Sequence, residues 1–452
     1  MTQTIELPIW AFILILLFAV VTFASHFLFP SVRWFFRRRM ERVVGRLNER
    51  LERPIEPFKL ARRYDMIQRL IYDPEVSLAI AEYARKQGVP ENVAFEKARS
   101  YAREIVPSFS ATAYFGFAIR IARGLSNALY RVRLAYHDDA GLKALDQNAT
   151  VIFVMNHRSN MDYVLVTYLA AERSALAYAV GEWARVWPLS RLIKAMGAYF
   201  IRRKSRGELY RKVLARYVAM ATKAGVTQAM FPEGGLSLNG ALAEPKVGLL
   251  KYITDGFDPA DRDVVFVPVA LNYDRVLEDR ILMAAGAAGT RRFRARISVI
   301  AGFFLKQLWL RLTRRYHRFG YAAVSFGTPV SLADYTHHQS EVDAEHLAAH
   351  LMERIASVVP VVPVPLLAQV MLAEDHVQAS DLPALMEHAA AGLAPAKVHL
   401  PRDSFDYAAE IAVKQLVKRN MLREQADGLI TINPAERASL EYYANSIAHL
   451  CK

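Results

Sequence analysis

Residues 150–162 read Thr-Val-Ile-Phe-Val-Met-Asn-His-Arg-Ser-Asn-Met-Asp. Thr150 to Met155 is a β-branched, apolar run of the length expected of a buried strand. His157 and Asp162 follow it, five residues apart. On one continuous helix, at about 100° per residue, that spacing would turn them about 140° away from each other. They can meet only if His157 sits in the strand-to-helix turn and Asp162 in the first helical turn. Ser159 followed by Asp162 has the spacing of a capping box ahead of an apolar run, so the helix is expected to start at Ser159. An imidazole at a strand end, held by a carboxylate, is the arrangement needed to deprotonate an alcohol. Alone, the spacing favours an ordinary loop histidine and a cap residue. The surrounding blocks change that balance.

Working outward, Met230-Phe231, Val264 to Leu271 and Ala322 to Phe326 are further strand-like runs. Helical patterns occupy 161–171, 183–196 and 205–224 between them. Strands alternating with helices predict an α/β fold, a central mixed sheet flanked by helices. Beyond about residue 332 the strands thin out, and 341–358, 363–373, 404–420 and 434–449 carry helical spacing. Upstream, 59–106 is helical with punctuation at Asp73-Pro74 and Gly88-Val89-Pro90. Ala111 to Leu134 is apolar but broken by Arg120, Arg123 and Arg131, which suggests a helix packed on a membrane surface or on an anchor. The expected organisation is an anchor over 1–32, a helical membrane-proximal region over 33–140, a catalytic domain over 141–332 and a helical C-terminal domain over 333–452.

Composition narrows the partners. The chain is 53% hydrophobic and carries a net charge of +14, which calls for an anionic partner. Leu7 to Phe29 contains no Asp, Glu, Lys or Arg, and crossing a bilayer takes roughly 20 apolar residues. Trp10 at one end and Trp34, Phe35 and Phe36 at the other are suited to the interface, while Arg33, Arg37, Arg38, Arg39 and Arg42 follow. An uncleaved transmembrane helix is expected, with everything after residue 32 on the cytoplasmic face of the inner membrane. Arg37 to Arg53 reads as a juxtamembrane helix on anionic headgroups. Phe293 to Arg318 mixes an apolar face with a cationic edge, the pattern of a helix lying among headgroups. Because the cations sit beside apolar faces, nucleic acid is not the expected partner. The single cysteine, Cys451, excludes an intrachain disulfide.

Three more blocks accompany the first. Gly197-Ala198-Tyr199-Phe200-Ile201 lands on Arg202 and Arg203, planar forks suited to phosphate. Phe231-Pro232-Glu233-Gly234-Gly235-Leu236-Ser237 follows a strand, its glycines allowing close backbone approach. Val267-Pro268-Val269 runs on to Tyr273-Asp274-Arg275. In this order and spacing the four blocks resemble the glycerolipid acyltransferases with a His-x4-Asp box, most closely the bacterial-type glycerol-3-phosphate acyltransferases. The similarity extends to Tyr442-Tyr443-Ala444-Asn445-Ser446-Ile447-Ala448-His449-Leu450.

The resemblance implies that His157 is the general base on the 1-hydroxyl of glycerol 3-phosphate and that Asp162 orients it. It implies that Arg202 and Arg203 hold phosphate, that Glu233, Gly234 and Ser237 shape the polyol site, and that Pro268 lies on the acyl-carrier side. It implies an acyl-CoA or acyl carrier protein thioester as co-substrate, membrane lipids as surroundings, and neither a cofactor nor a metal. The family commonly has arginines where this chain has Leu236 and Leu238, so the missing phosphate contact is expected from Arg158, Lys246 or Lys251. Two alternatives remain at this stage: acylation of lysophosphatidic acid or another lipid alcohol, and a non-catalytic basic protein that binds membranes.

Overall fold

The structure is a computed structural model that describes residues 8–451 apart from 171–173, 182–184, 188, 203–206, most of 290–317, 338–342 and 395–396; in the first helix the side chains of 24–37 and 40 are likewise outside the description. It divides into two compact units, 1–55 and 56–452.

The smaller unit is built on one helix, Ile9–Asn48. Its apolar side chains stand in the open: Trp10 is 67% exposed and Phe18 72%. The expected transmembrane helix over Leu7 to Phe29 needs correction on this point. Among the described residues no helix is long and apolar enough to cross a membrane. Leu7 and the side chains of 24–29 lie outside the described residues.

The larger unit is organised by an eight-stranded sheet. Its strands are β1 (Arg131–His137), β2 (Thr150–Met155), β3 (Ala177–Gly181), β4 (Tyr199–Ile201), β5 (Gln228–Met230), β6 (Val264–Tyr273), β7 (Tyr321–Phe326) and β8 (Val330–Ser331). The order is β1-β7-β6-β2-β5-β3-β4, with β8 also paired to β6. β6, β2, β5, β3 and β4 run parallel; β7 and β8 oppose β6. The sheet is therefore mixed, as expected. β2 and β6 are buried at every position, which is why both read as unbroken apolar runs rather than alternating ones.

Pro268 sits inside β6, where a missing N–H would ordinarily cost a ladder bond. Its carbonyl accepts from the Gly327 amide in the gap between β7 and β8, so its nitrogen faces a place where no ladder partner is needed. The expected helix over Ala111 to Leu134 is shorter than predicted. A π-helical segment Thr112–Ala118 leads into a helix that ends at Leu129, and Arg131–His137 pairs with β7 as an edge strand. The edge position leaves most of β1 exposed, so its arginines are tolerated there.

The punctuation upstream behaves as read. Asp73 caps the helix Pro74–Gln87 by accepting from the Glu75 amide, and Gly88 closes it at φ +63°. The helix Glu208–Lys223 packs on Pro74–Gln87 and Glu91–Ile105. At the C-terminus, helices Ala344–Ser357, Pro363–Glu374, Phe405–Lys418 and Arg437–Ala444 accompany a small antiparallel sheet of β9 (His376–Gln378), β10 (Leu422–Glu424) and β11 (Leu429–Ile432). One apolar core joins these helices to the large sheet.

Candidate active site

Strand β2 ends at Met155, and the chain turns through residues 156–160 before the helix Met161–Leu169 begins. The helix starts two residues later than the capping-box spacing suggested. Half of that box is made: the Ser159 amide donates to Asp162 Oδ2 at 3.0 Å, while Ser159 Oγ accepts from the Met161 amide at 3.1 Å. Asp162 Oδ2 also accepts from the Arg158 amide at 2.7 Å and lies 2.9 Å from His157 Nδ1. The turn and the imidazole are thus gathered around one carboxylate oxygen. His157 is 1% exposed and Asp162 is fully buried.

The other oxygen, Oδ1, accepts from the Tyr273 hydroxyl at 2.5 Å. Burial and the Asp162 charge hold that phenol well above its ordinary range, so it stays a donor. Asn156 anchors the turn to β6: its side chain donates to the Leu271 carbonyl and accepts from the Leu271 amide. Glu278 accepts from Ser159 Oγ at 2.7 Å and from the Asn160 side-chain amide at 2.9 Å. Tyr273 lies in a block singled out by sequence, but nothing there pointed to its role. Glu278 left no sequence signal.

A cavity of about 300 Å³ is lined by Tyr163, Arg202, Phe231, Gly234, Lys246 and Tyr252 among others, and His157 is not itself part of the lining. Phe231 stacks on His157 at 3.9 Å between centroids, and Tyr163 meets the imidazole edge-on at 5.5 Å. These two rings form both the cavity wall and the cover over His157. Gly234 has φ +64°, and a Cβ there would come within 2.8 Å of the Lys246 side chain. The left-handed φ favours glycine here, and the missing Cβ leaves room for Lys246 to lie across this loop.

The sequence-predicted residues separate into those the cavity gathers and those it does not. Gly234, Lys246 and Arg202 line it. Arg202 Nε and Nη2 donate to the two oxygens of Glu104 at 2.8 and 2.6 Å, so this carboxylate already engages part of the fork. Arg203 lies outside the described residues. Arg158 is turned away and buried: Nη1 donates to the Gly240 carbonyl, and the guanidinium faces the Tyr442 ring at 5.8 Å. Ser237 is buried in its own loop, where Oγ donates to the Ala241 carbonyl at 2.7 Å. Pro268 is a strand residue facing β7 and β8. Leu236 and Leu238 pack against the core, so the positions of the family arginines are filled with apolar contact.

Glu233 sits under the dyad, where one oxygen accepts from the His157 amide at 3.2 Å. Burial pushes its carboxyl up to about 8, against the pull of that amide and of Arg158. Among the described residues no cluster of His, Cys, Asp and Glu could hold a metal ion.

Residues 137–272 match the acyltransferase family model, which covers the dyad, the cavity and the five parallel strands but for the last residue of β6. Residues 307–451 match the model of the glycerol-3-phosphate acyltransferase C-terminal region. Over these two stretches the chain is similar to the glycerolipid acyltransferases. A glycerol-3-phosphate acyltransferase from Ectopseudomonas mendocina is 26% identical over 86% of this chain and 49% of its own length. One from Shewanella amazonensis is 28% identical over 94% and 53%. The chain spans about half the length of the curated relatives it matches. A solved 1-acyl-sn-glycerophosphate acyltransferase from Thermotoga maritima overlaps at TM-score 0.32 and 18% identity, over 54% of this chain and 75% of that one, too loosely to carry an argument.

Proposed function

We propose that this acyltransferase moves a fatty acyl group from an acyl-CoA or acyl carrier protein thioester to the 1-hydroxyl of glycerol 3-phosphate, giving lysophosphatidic acid for phospholipid synthesis. The observation that carries the reading is the buried His157–Asp162 pair at 2.9 Å, lying beneath a cavity edged by Lys246 and Arg202. With Nδ1–H donated to Asp162, Nε2 is the nitrogen that takes the hydroxyl proton as the oxygen attacks the thioester carbonyl. The tetrahedral intermediate then collapses, the C–S bond breaks, and the departing thiolate takes the proton from the imidazolium. The donor is already activated, so a base and an oxyanion-stabilising donor suffice. Substrate phosphate is received by Lys246 and Arg202, and Arg203 is proposed beside them.

Attachment to the cytoplasmic face of the inner membrane is part of the same reading. It is supported by the exposed apolar side chains between Ile9 and Phe23 and by the arginines further along the sequence. The test is an assay of membranes containing the full chain, with labelled glycerol 3-phosphate or labelled lysophosphatidic acid under each thioester donor. Label from glycerol 3-phosphate entering lysophosphatidic acid is expected. Acylation of lysophosphatidic acid alone would transfer the chemistry to the other acceptor. Turnover with neither would return the chain to a binding role.

A further inference from the structure

A second cavity, of about 1070 Å³, shares no lining residue with the one beside His157. Its wall is drawn from strand ends that the sheet brings together. Arg131 opens β1, Arg275 lies just past β6, and Arg318 precedes β7; Lys414 and Lys418 reach it from the helix Phe405–Lys418. The register pairs Arg131 with Tyr321 and Tyr273 with Ala322, so these ends share one edge of the sheet. That edge is the carboxyl end of β6 and of the parallel strand β2, where His157 also lies. Crevices outside the carboxyl ends of parallel strands are where open α/β sheets take ligands.

The charges on this wall do not balance internally. Among the described residues, Arg131, Arg275, Arg318, Lys414 and Lys418 make no ion pair. Two carboxylates line the cavity, and one of them, Asp279, is already held by Arg419 and by the Tyr443 hydroxyl. Glu410 is the other. Lys414 and Lys418 alone would be a solvated helix face. Arg275 is different. It is half-buried, lies 4.2 Å from the Phe319 ring centroid, and its guanidinium has no hydrogen-bond acceptor among the described residues. Burial pushes its pKa down and the neighbouring Arg419 charge adds to that, while Tyr443, Asp279 and Tyr130 offset only part of it. A guanidinium withdrawn from water without an anion is costly, and an incoming anion removes that cost.

We propose that this cavity binds a phosphate-bearing ligand at a site separate from the pocket beside His157. Guanidinium forks recognise phosphate oxygens in pairs, and these five cations outnumber the two carboxylates of the lining, Asp279 and Glu410. The phosphate has two possible sources, a nucleotide or a phospholipid headgroup. Gln307 and Leu310 wall the cavity, while Leu305, Trp309 and Leu312, at i, i+4 and i+7, are exposed on the opposite face of the same helical stretch. That apolar face next to a cationic cavity favours the headgroup. The site stands whether or not the acyl-transfer reading holds.

The experiment uses the full chain, purified and placed in neutral phosphatidylcholine nanodiscs. One arm titrates adenosine 3′,5′-bisphosphate by calorimetry; the other measures retention of labelled phosphatidic acid doped into the discs. Binding in at least one arm is expected. Arg275→Gln with Lys414→Gln and Lys418→Gln should weaken it by about ten- to a hundred-fold, as expected for lost charge-assisted hydrogen bonds. If Arg275→Gln fails to fold, the exposed pair Lys414→Gln and Lys418→Gln should still weaken binding and flatten its dependence on salt. Weakening in the bisphosphate arm assigns a nucleotide, and weakening in the lipid arm assigns a headgroup. No binding in either arm, unchanged affinity in the variants, or a loss that instead follows Lys246→Gln would overturn the proposal.

Discussion

The carboxylate of Asp162 serves two partners at once, His157 Nδ1 through one oxygen and the Tyr273 hydroxyl through the other. Tyr273 is a positioning residue in this arrangement, since it reaches the imidazole only through Asp162. Tyr273→Phe keeps the ring in the core and removes one donor. It should lower kcat by about tenfold or more while leaving KM for either substrate within about twofold, since the group orients the base without touching substrate. A parallel rise in KM, or no change in kcat, would reduce Tyr273 to a packing ring. His157→Ala should cost about a hundred- to ten-thousand-fold or more in turnover, the usual worth of a positioned base. Near-normal turnover in correctly folded protein would remove the reading of the dyad. Glu233 gives a pH prediction. Its carboxyl is raised to about 8 by burial, so the folded state holds this proton more tightly than the unfolded chain. The stability it contributes is complete below about 4.5 and is lost as pH rises towards about 8. Glu233→Gln should flatten the fall of Tm over that window; an identical Tm profile would show that the group titrates normally.

The cavity beside the dyad is assembled from elements that carry one another's residues. Strand β4 delivers Arg202, yet the helix Glu91–Ile105 delivers Glu104, which holds both Arg202 and Arg185. The fork is therefore fixed in direction before any substrate arrives, with part of its donor set already spent. Arg202→Ala should raise KM for glycerol 3-phosphate by about ten- to a hundred-fold, and far more than KM for the thioester. Glu104→Gln should also raise KM for the phosphate substrate, because the guanidinium loses the partner that aims it. A fall in KM in that variant would mean the ion pair competes with the phosphate instead of directing Arg202 towards it. The loop after β5 works on the same principle. Gly234 adopts a left-handed φ so that Lys246 can cross it, and the loop then returns through Ser237, whose amide donates to the His157 carbonyl at 2.9 Å. The third block thus braces the first.

At the scale of the whole molecule, residues 56–452 share one core, and the strands of the large sheet are tied directly to the C-terminal helices. Asn272 of β6 donates to the Pro360 carbonyl and reaches Ser446, and buried Asp274 accepts from the amides of Tyr321 and Val364. Arg158, next to His157, is covered by Tyr442. The exposed apolar side chains between Ile9 and Phe23, in the smaller unit, set the last prediction. Deleting residues 1–32 should weaken membrane attachment without abolishing it, because the basic stretches 37–53 and 293–318 remain. The remaining attachment should decline with added salt as headgroup attraction is screened. A truncated chain freely soluble in low-salt buffer would show that the helix alone carries the attachment.

The sequence by itself determined the features that depend on near neighbours. The apolar runs of β2, β6 and β7 are visible because buried strands in a covered sheet need no alternation. The breaks at Asp73-Pro74 and Gly88 are visible because capping and left-handed turns restrict which residues can stand there. The His157–Asp162 pair was legible from its place between a strand-like run and a helical one, together with the blocks that accompany it, since only a strand-turn-helix lets the two meet. What the tertiary structure decided lies between residues distant in the chain. Tyr273 and Glu278 reach the dyad, Glu104 claims Arg202, and Arg158 is buried under Tyr442 when its position suggested a phosphate contact. β1 reads as an extension of an apolar helix until the sheet supplies the edge that makes its arginines acceptable. These outcomes depend on which surfaces meet when helices and sheet pack. Local periodicity carries no record of that choice.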